Sequence, residues 1–155
     1  KEDLERTAHE LCEKMADING KAYVSVNKGL VTQASSAIPA VPLYISILYK
    51  VMKNKGLHEK CIHQIARLFK DFLYNKDGVP TDEEGRIRID DWEMREDVQN
   101  EISKIWDNIS DETVSQYCDI AGFQEEFFQL FGFEVPGVDY EKDSEPSVQL
   151  NPLPL

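Results

Sequence analysis

Long apolar runs are missing from this 155-residue sequence. No stretch approaches the roughly 18 to 20 apolar residues that a membrane-spanning helix needs, so no span is expected. Cysteine is scarce and odd in number. Cys12, Cys61 and Cys118 stand far apart with no CxxC among them. That spacing argues against a disulfide framework or a zinc site, and for a reducing compartment. His9, His58 and His63 sit in no metal-ligand pattern, so the expected metal is none. There is no GxGxxG, no phosphate loop and no GxSxG. Positive charge is short as well: 17 Lys and Arg face 29 Asp and Glu, a net of −12. This balance opposes a general nucleic-acid binder and a protein held electrostatically to anionic membranes.

What is present reads as one acidic folded domain, with 41% apolar and 30% charged residues. The charge is unevenly placed. Residues 1–80 hold 12 basic and 9 acidic side chains, a net of +3; residues 81–155 hold 5 and 20, a net of −15. The first residues show neither a Met start nor a signal-peptide pattern. Leu4, Ala8, Leu11, Cys12 and Met15 form one apolar helical stripe, with no capping residue before Lys1. The sequence therefore reads as entering inside a helix, with an upstream part removed or supplied by another chain.

That helix should stop at Asn19-Gly20. Residues 21–27, KAYVSVN, read as a strand whose partners the chain does not obviously supply. Residues 29–39, GLVTQASSAIP, form a polar connection directly after it. In open α/β sheets ligands sit beyond the carboxyl ends of strands, and this loop holds that position. Pro42 then opens a helix over 38–54, apolar around most of its girth. Further helices are expected over 58–74, from Asp90 or Asp91 to 108, from Ser110 onward, and over 123–131 after a separating Gly122. RIRI at 86–89 reads as an edge strand or simply extended chain. Asp90-Asp91 and Glu83-Glu84 are adjacent acids near helix starts, a pattern of caps and dipole partners rather than of converging catalysts.

Residues 20–59, GKAYVSVNKGLVTQASSAIPAVPLYISILYKVMKNKGLHE, closely resemble the trans-2-enoyl-CoA reductases and the related V-type enoyl-acyl-carrier-protein reductases. GRIRIDDWEMREDVQ at 85–99 and FGFEVPGVDYEKD at 131–143 resemble the same family in the same order. The resemblance implies an α/β fold: the C-terminal portion of a Rossmann-type, short-chain-dehydrogenase-like reductase, mostly helical, with one sheet strand near 21–27. Residues 1–143 would be the C-terminal part of the NADH-binding domain. Within it, 21–36 would be the cofactor strand and loop, and 38–54 the acyl-pocket helix. Residues 144–155 would be a tail.

The implied cofactor is NADH and the implied substrate an enoyl-CoA or enoyl-acyl carrier protein, reduced at its C2=C3 bond in fatty acid synthesis. The family's catalytic pair is a Tyr and a later Lys that runs on into KxDLE. Here Lys1-Glu2-Asp3-Leu4-Glu5 matches, which makes Lys1 the motif lysine and a cofactor contact, while its Tyr lies outside the sequence. Leu30, Val31 and Thr32 match the segment that contacts the nicotinamide end, with Gly29 where the family often has Ala. Ile38, Val41, Leu43 and Tyr44 are candidates for the acyl pocket, although the pattern alone reads equally as core. The resemblance implies that this chain alone is inactive and partnered by the missing N-terminal portion or another chain, in the cytoplasm or a mitochondrion. The alternative is a catalytically inactive accessory subunit derived from a reductase.

Overall fold

The computed structural model describes residues 2–145. Helix α1 spans Glu2–Lys14, with acidic Glu2, Asp3 and Glu5 in its first turn, where the helix dipole favours negative charge. A 3₁₀ turn at Ala16–Ile18 follows. Asn19, at φ 54°, ends it where the sequence placed the stop. Gly20 is required there by proximity, since a Cβ would lie 2.7 Å from the Met15 Cβ.

The expected seven-residue strand is shorter than its sequence suggests. β1 is only Ser25–Val26, and it does find a partner: β2, Ile87–Arg88, pairs with it in parallel, Ser25 opposite Ile87 and Val26 opposite Arg88. The strand count is corrected from one to two, and within RIRI Ile87–Arg88 is a strand. Before β1 only the Val24 carbonyl reaches β2, accepting the Ile87 N–H at 2.9 Å; Ala22 is held instead by the Cys12 thiol, 3.2 Å from its N–H. Parallel strands need a long crossover, which the helices between β1 and β2 supply.

The connection after β1 is not all loop, because Gln33–Ala37 forms a short helix, α2. Helix α3, Val41–Asn54, carries Pro42 in its first turn and is the centre of the molecule. Ile45, Ile47, Leu48, Tyr49, Val51 and Met52 are all buried. Each such side chain contributes roughly 1.5–3 kcal/mol by leaving water. The near-complete apolar girth is explained by two neighbours. Ile47, Leu48, Val51 and Met52 pack against Val98 and Ile102 of α5, Glu96–Trp106. Ile45 and Tyr49 pack against Val31, with Phe123 and Phe127 of α7, Ile120–Gln129, alongside.

Three further helical expectations are corrected. The 58–74 helix begins only at Cys61, runs as α4 to Arg67 and continues as a π-helix over Leu68–Leu73. The helix expected from Asp90 or Asp91 starts at Glu96, because both carboxylates bind elsewhere: Asp90 takes Arg88, and Asp91 takes Arg67 and the Trp92 N–H. Gly122 does not separate helices. It lies inside α7, after a short α6 at Val114–Tyr117, and gives its N–H to the Asp119 cap. Among the described residues no helix is long and apolar enough to cross a membrane.

Candidate functional site

The loop that leaves β1 is pinned from behind at nearly every polar group. The Gly29 N–H donates to Glu93 Oε2 at 2.6 Å, and the Val31 N–H to the Tyr49 hydroxyl at 3.1 Å. The Thr32 N–H donates to Ser35 Oγ at 2.8 Å, while the Ser35 N–H donates to Thr32 Oγ1 at 3.0 Å. This reciprocal pair is a capping box that starts α2. The Ser35 hydroxyl also donates to the Leu30 carbonyl at 2.8 Å. The Thr32, Ser35 and Ser36 hydroxyls are the side-chain groups of this loop that the sequence alone would offer to a ligand, but all three are in use. Those of Ser35 and Ser36 are donated to backbone carbonyls, and that of Thr32 is engaged in the box. One main-chain donor of residues 29–32 has no partner among the described residues: the Leu30 N–H.

Behind the loop lies a buried polar layer that the sequence did not announce. Lys28 is only 3% exposed, gives a hydrogen bond to the Gly29 carbonyl, and stands 5.0 Å from the centre of the Tyr49 ring. Burial pushes its pKa down, and the charge of Glu93 opposes that shift. Glu93 accepts from Tyr44 Oη at 2.5 Å as well as from Gly29. Burial pushes the hydroxyls of Tyr44 and Tyr49 well above the ordinary tyrosine range, so both stay protonated. On the far side, His58 Nε2 lies 2.8 Å from Glu126, and its ring meets Tyr49 edge-on. Burial raises the Glu126 carboxyl, but the hydrogen bond with His58 and the neighbouring Tyr49 hydroxyl outweigh it and hold the group below the usual range. Arg67 braces the base of the layer, with two bonds to buried Glu59, one to Asp91 and one to the Ile89 carbonyl.

The structure gathers some of the expected site residues and separates others. Leu30 and Thr32 line a common cavity of about 230 Å³ with Asn27, Cys61, Gln64, Ile65 and Leu68. Val31 is buried behind them. Val41 and Tyr44 pack on the Val31 side of α3, whereas Leu43 packs on the α5 side and Ile38 is 52% exposed. Tyr44 touches both sides. Lys1 lies outside the described residues. Lys28, Glu93 and Tyr49 were missed as holders of the loop. A lysine directly after a strand, inside an otherwise apolar neighbourhood, was the available signal. Among the described residues no cluster of His, Cys, Asp or Glu could hold a metal.

A strand end, a backbone-rich loop fixed from below and an unpartnered Leu30 N–H in a residue that lines a cavity form a corner of the kind that suits a ligand in an α/β protein. Comparison with known proteins narrows this class. The family model for the trans-2-enoyl-CoA reductase catalytic region matches residues 1–74, and that for the enoyl reductase FAD binding domain matches residues 81–144. The enoyl-acyl-carrier-protein reductase (NADH) of Flavobacterium johnsoniae is 56% identical over 153 residues, 99% of this chain and 39% of that protein. The protein of the same description from Coxiella burnetii is 56% identical over 155 residues, 96% of this chain and 38% of its own length. A Clostridium acetobutulicum trans-2-enoyl-CoA reductase solved in complex with NAD superposes with a TM-score of 0.86 at 49% identity, covering 93% of this chain and 38% of that one. The Treponema denticola enzyme, also in complex with NAD, gives 0.83 at 49%, covering 92% and 36%. This chain belongs to the trans-2-enoyl-CoA and enoyl-acyl-carrier-protein reductase family. It spans about two fifths of the length of the relatives it matches.

The nicotinamide end of a dinucleotide fits the corner, since the Leu30 N–H is open and the cavity beside it has aliphatic walls. The stretch matched by the FAD-binding family model offers a flavin diphosphate few cations. Residues 81–144 hold 19 acidic and 5 basic side chains, and Arg86, Arg88 and Arg95 are each already paired with a carboxylate. No free guanidinium remains among its described residues to meet a diphosphate.

Proposed function

We propose that this chain acts as the C-terminal part of an NADH-dependent reductase that saturates the C2=C3 bond of a trans-2-enoyl thioester in fatty acid synthesis. The acyl carrier is CoA or acyl carrier protein, and the setting is a reducing compartment, cytoplasmic or mitochondrial. The remainder of a Rossmann-type domain, with its glycine-rich phosphate loop and catalytic tyrosine, comes from residues outside this chain. The observation that carries the reading is the open Leu30 N–H at the carboxyl end of β1, in a loop whose neighbouring donors are all engaged.

When bound, NADH supplies the hydride for the β-carbon of the substrate, and negative charge then gathers on the thioester oxygen. The chain's own residues do four things. The Leu30 N–H would donate to the carboxamide oxygen of the nicotinamide and help to orient the ring. Glu93, Tyr49 and the Thr32–Ser35 box hold that N–H in place before binding, which lowers the ordering cost. Ile38, Val41, Leu43 and Tyr44 serve the acyl pocket, Val41 and Tyr44 from the loop side. Lys1, as the motif lysine, lowers the pKa of the catalytic tyrosine and bonds the nicotinamide ribose.

The test is NADH binding and enoyl-thioester turnover by the complete reductase, beside the isolated chain. The complete protein should bind and turn over; the chain alone should do neither. A complete protein that binds no NADH would overturn the reading and favour an accessory subunit.

A further inference from the structure

Gln64 is 2% exposed, yet neither its amide nitrogen nor its amide oxygen has a partner among the described residues. Burying a primary amide without hydrogen bonds costs about 1–3 kcal/mol in proteins. Such groups are therefore rare, and a native example calls for a reason. The backbone here is regular: Gln64 sits in α4 and its own N–H donates to the Lys60 carbonyl at 3.1 Å. Elsewhere in the buried polar layer only His58 Nδ1 is also without a partner among the described residues, and the His58 ring is held through Nε2. Lys28, Glu59, Glu93 and Glu126 each make at least one hydrogen bond.

The orphaned side chain lines the same cavity as Leu30 and Thr32. Leu30, Ile65 and Leu68 give this cavity aliphatic walls, and neither a lysine nor an arginine lines it. A phosphate has only acceptors and would leave the Gln64 oxygen unpaired. A carboxamide on a flat aromatic ring both donates and accepts, and its ring suits aliphatic walls.

We infer that Gln64 is a further binding residue of this corner, pairing through its side-chain amide with the carboxamide of the nicotinamide ring. The assignment rests on the reductase reading above and adds a side-chain partner to the main-chain one at Leu30. The Leu30 N–H takes the carboxamide oxygen, the Gln64 oxygen accepts from the carboxamide NH₂, and the Gln64 NH₂ shares the carboxamide oxygen. The free protein carries the cost of the unpaired amide, and the cofactor removes it on binding.

The test uses the complete reductase with Gln64→Leu and the near-isosteric Gln64→Met. NADH and reduced 3-acetylpyridine adenine dinucleotide, in which a methyl replaces the carboxamide NH₂, are titrated by fluorescence. Both variants should weaken NADH roughly ten-fold, the loss of about two net hydrogen bonds. They should weaken the acetyl analogue by only about three-fold, since one bond is already missing. The cofactor-free variants should melt at or above the temperature of the parent, because an unpaired polar group has gone. Equal losses for the two dinucleotides would place the contact elsewhere on the cofactor and overturn the assignment. So would a lowered melting temperature without cofactor, which would give Gln64 a protein partner. NADH binding that survives both substitutions intact sinks the Gln64 assignment alone; absence of NADH binding by the unsubstituted protein sinks the reductase reading itself.

Discussion

Tyr49→Phe removes one oxygen from the centre of the molecule and leaves the ring in place. The Tyr49 hydroxyl accepts the Val31 N–H at 3.1 Å, and both residues are buried, so water cannot take its place. An unsatisfied buried donor costs about 1–3 kcal/mol. The ring keeps its contacts with His58 and Lys28, so little packing changes. For a domain of this size each kcal/mol lowers the melting temperature by about 2–4 °C, which gives a fall of about 2–12 °C. The stability assay is thermal unfolding, and the local assay is hydrogen exchange at the Val31 amide. Exchange there should speed up before that of the α3 core amides does. A melting temperature within about 1 °C of the parent, with Val31 exchange unchanged, would refute the reasoning that Tyr49 clamps the loop.

Arg67→Ala strips the partner from buried Glu59 and should cost about 3–5 kcal/mol in chemical denaturation; Arg67→Lys should rescue little, because an ammonium cannot reproduce the two-pronged bond. Gly122→Ala, usually favourable inside a helix, should destabilise here. The new Cβ would collide with Asp119 Oδ2 and stand 2.6 Å from Lys53 Nζ, displacing the α7 cap at a cost of about 1 kcal/mol or more. In an Asp119→Ala background the same change should turn stabilising, and urea titration of the double-mutant cycle reads that reversal. Asp119 and Glu126 are both held below their ordinary values, Asp119 because the Lys53 hydrogen bond and the Gly122 N–H outweigh its burial. The folded state therefore binds fewer protons than the unfolded one. Stability should be full above the ordinary values of 3.8 and 4.5 and should decline as pH falls through the lower folded ones. Denaturation midpoints measured from neutrality down to about pH 3 should show this slope, and Asp119→Asn should flatten it.

Much of the helical frame was legible because α1 and α3 announce themselves by spacing, by Asn19-Gly20 and by Pro42. The ends of elements were less so, and each miss has a local cause. β1 is short because KAYV is β-forming in composition, yet of these four residues only Val24 bonds to β2, through its carbonyl. Its pairing with Ile87–Arg88 depends on a crossover of some sixty residues, which no local pattern encodes. α5 began late because Asp90 and Asp91 spend their carboxylates on Arg88 and Arg67 rather than on a cap. Gly122 looked like a break because sequence reveals glycine's flexibility and not the crowding by Asp119 and Lys53. The position of the ligand loop was legible from strand order alone. Its chemistry was only half legible: the polarity of Thr32, Ser35 and Ser36 is visible, but their mutual hydrogen bonds are not. Glu93 and Gln64 look like ordinary surface residues in the sequence, Lys28 shows only its place after a strand, and the fold buries all three.

The central claim is that a dinucleotide meets this chain through the backbone of the loop behind β1. Amide hydrogen exchange of the complete reductase, with and without NADH, tests it residue by residue. The account predicts new protection at the Leu30 N–H, with Gly29, Val31 and Thr32 already slow and little changed. Protection confined to other segments, with Leu30 exchanging equally fast in both states, would contradict it.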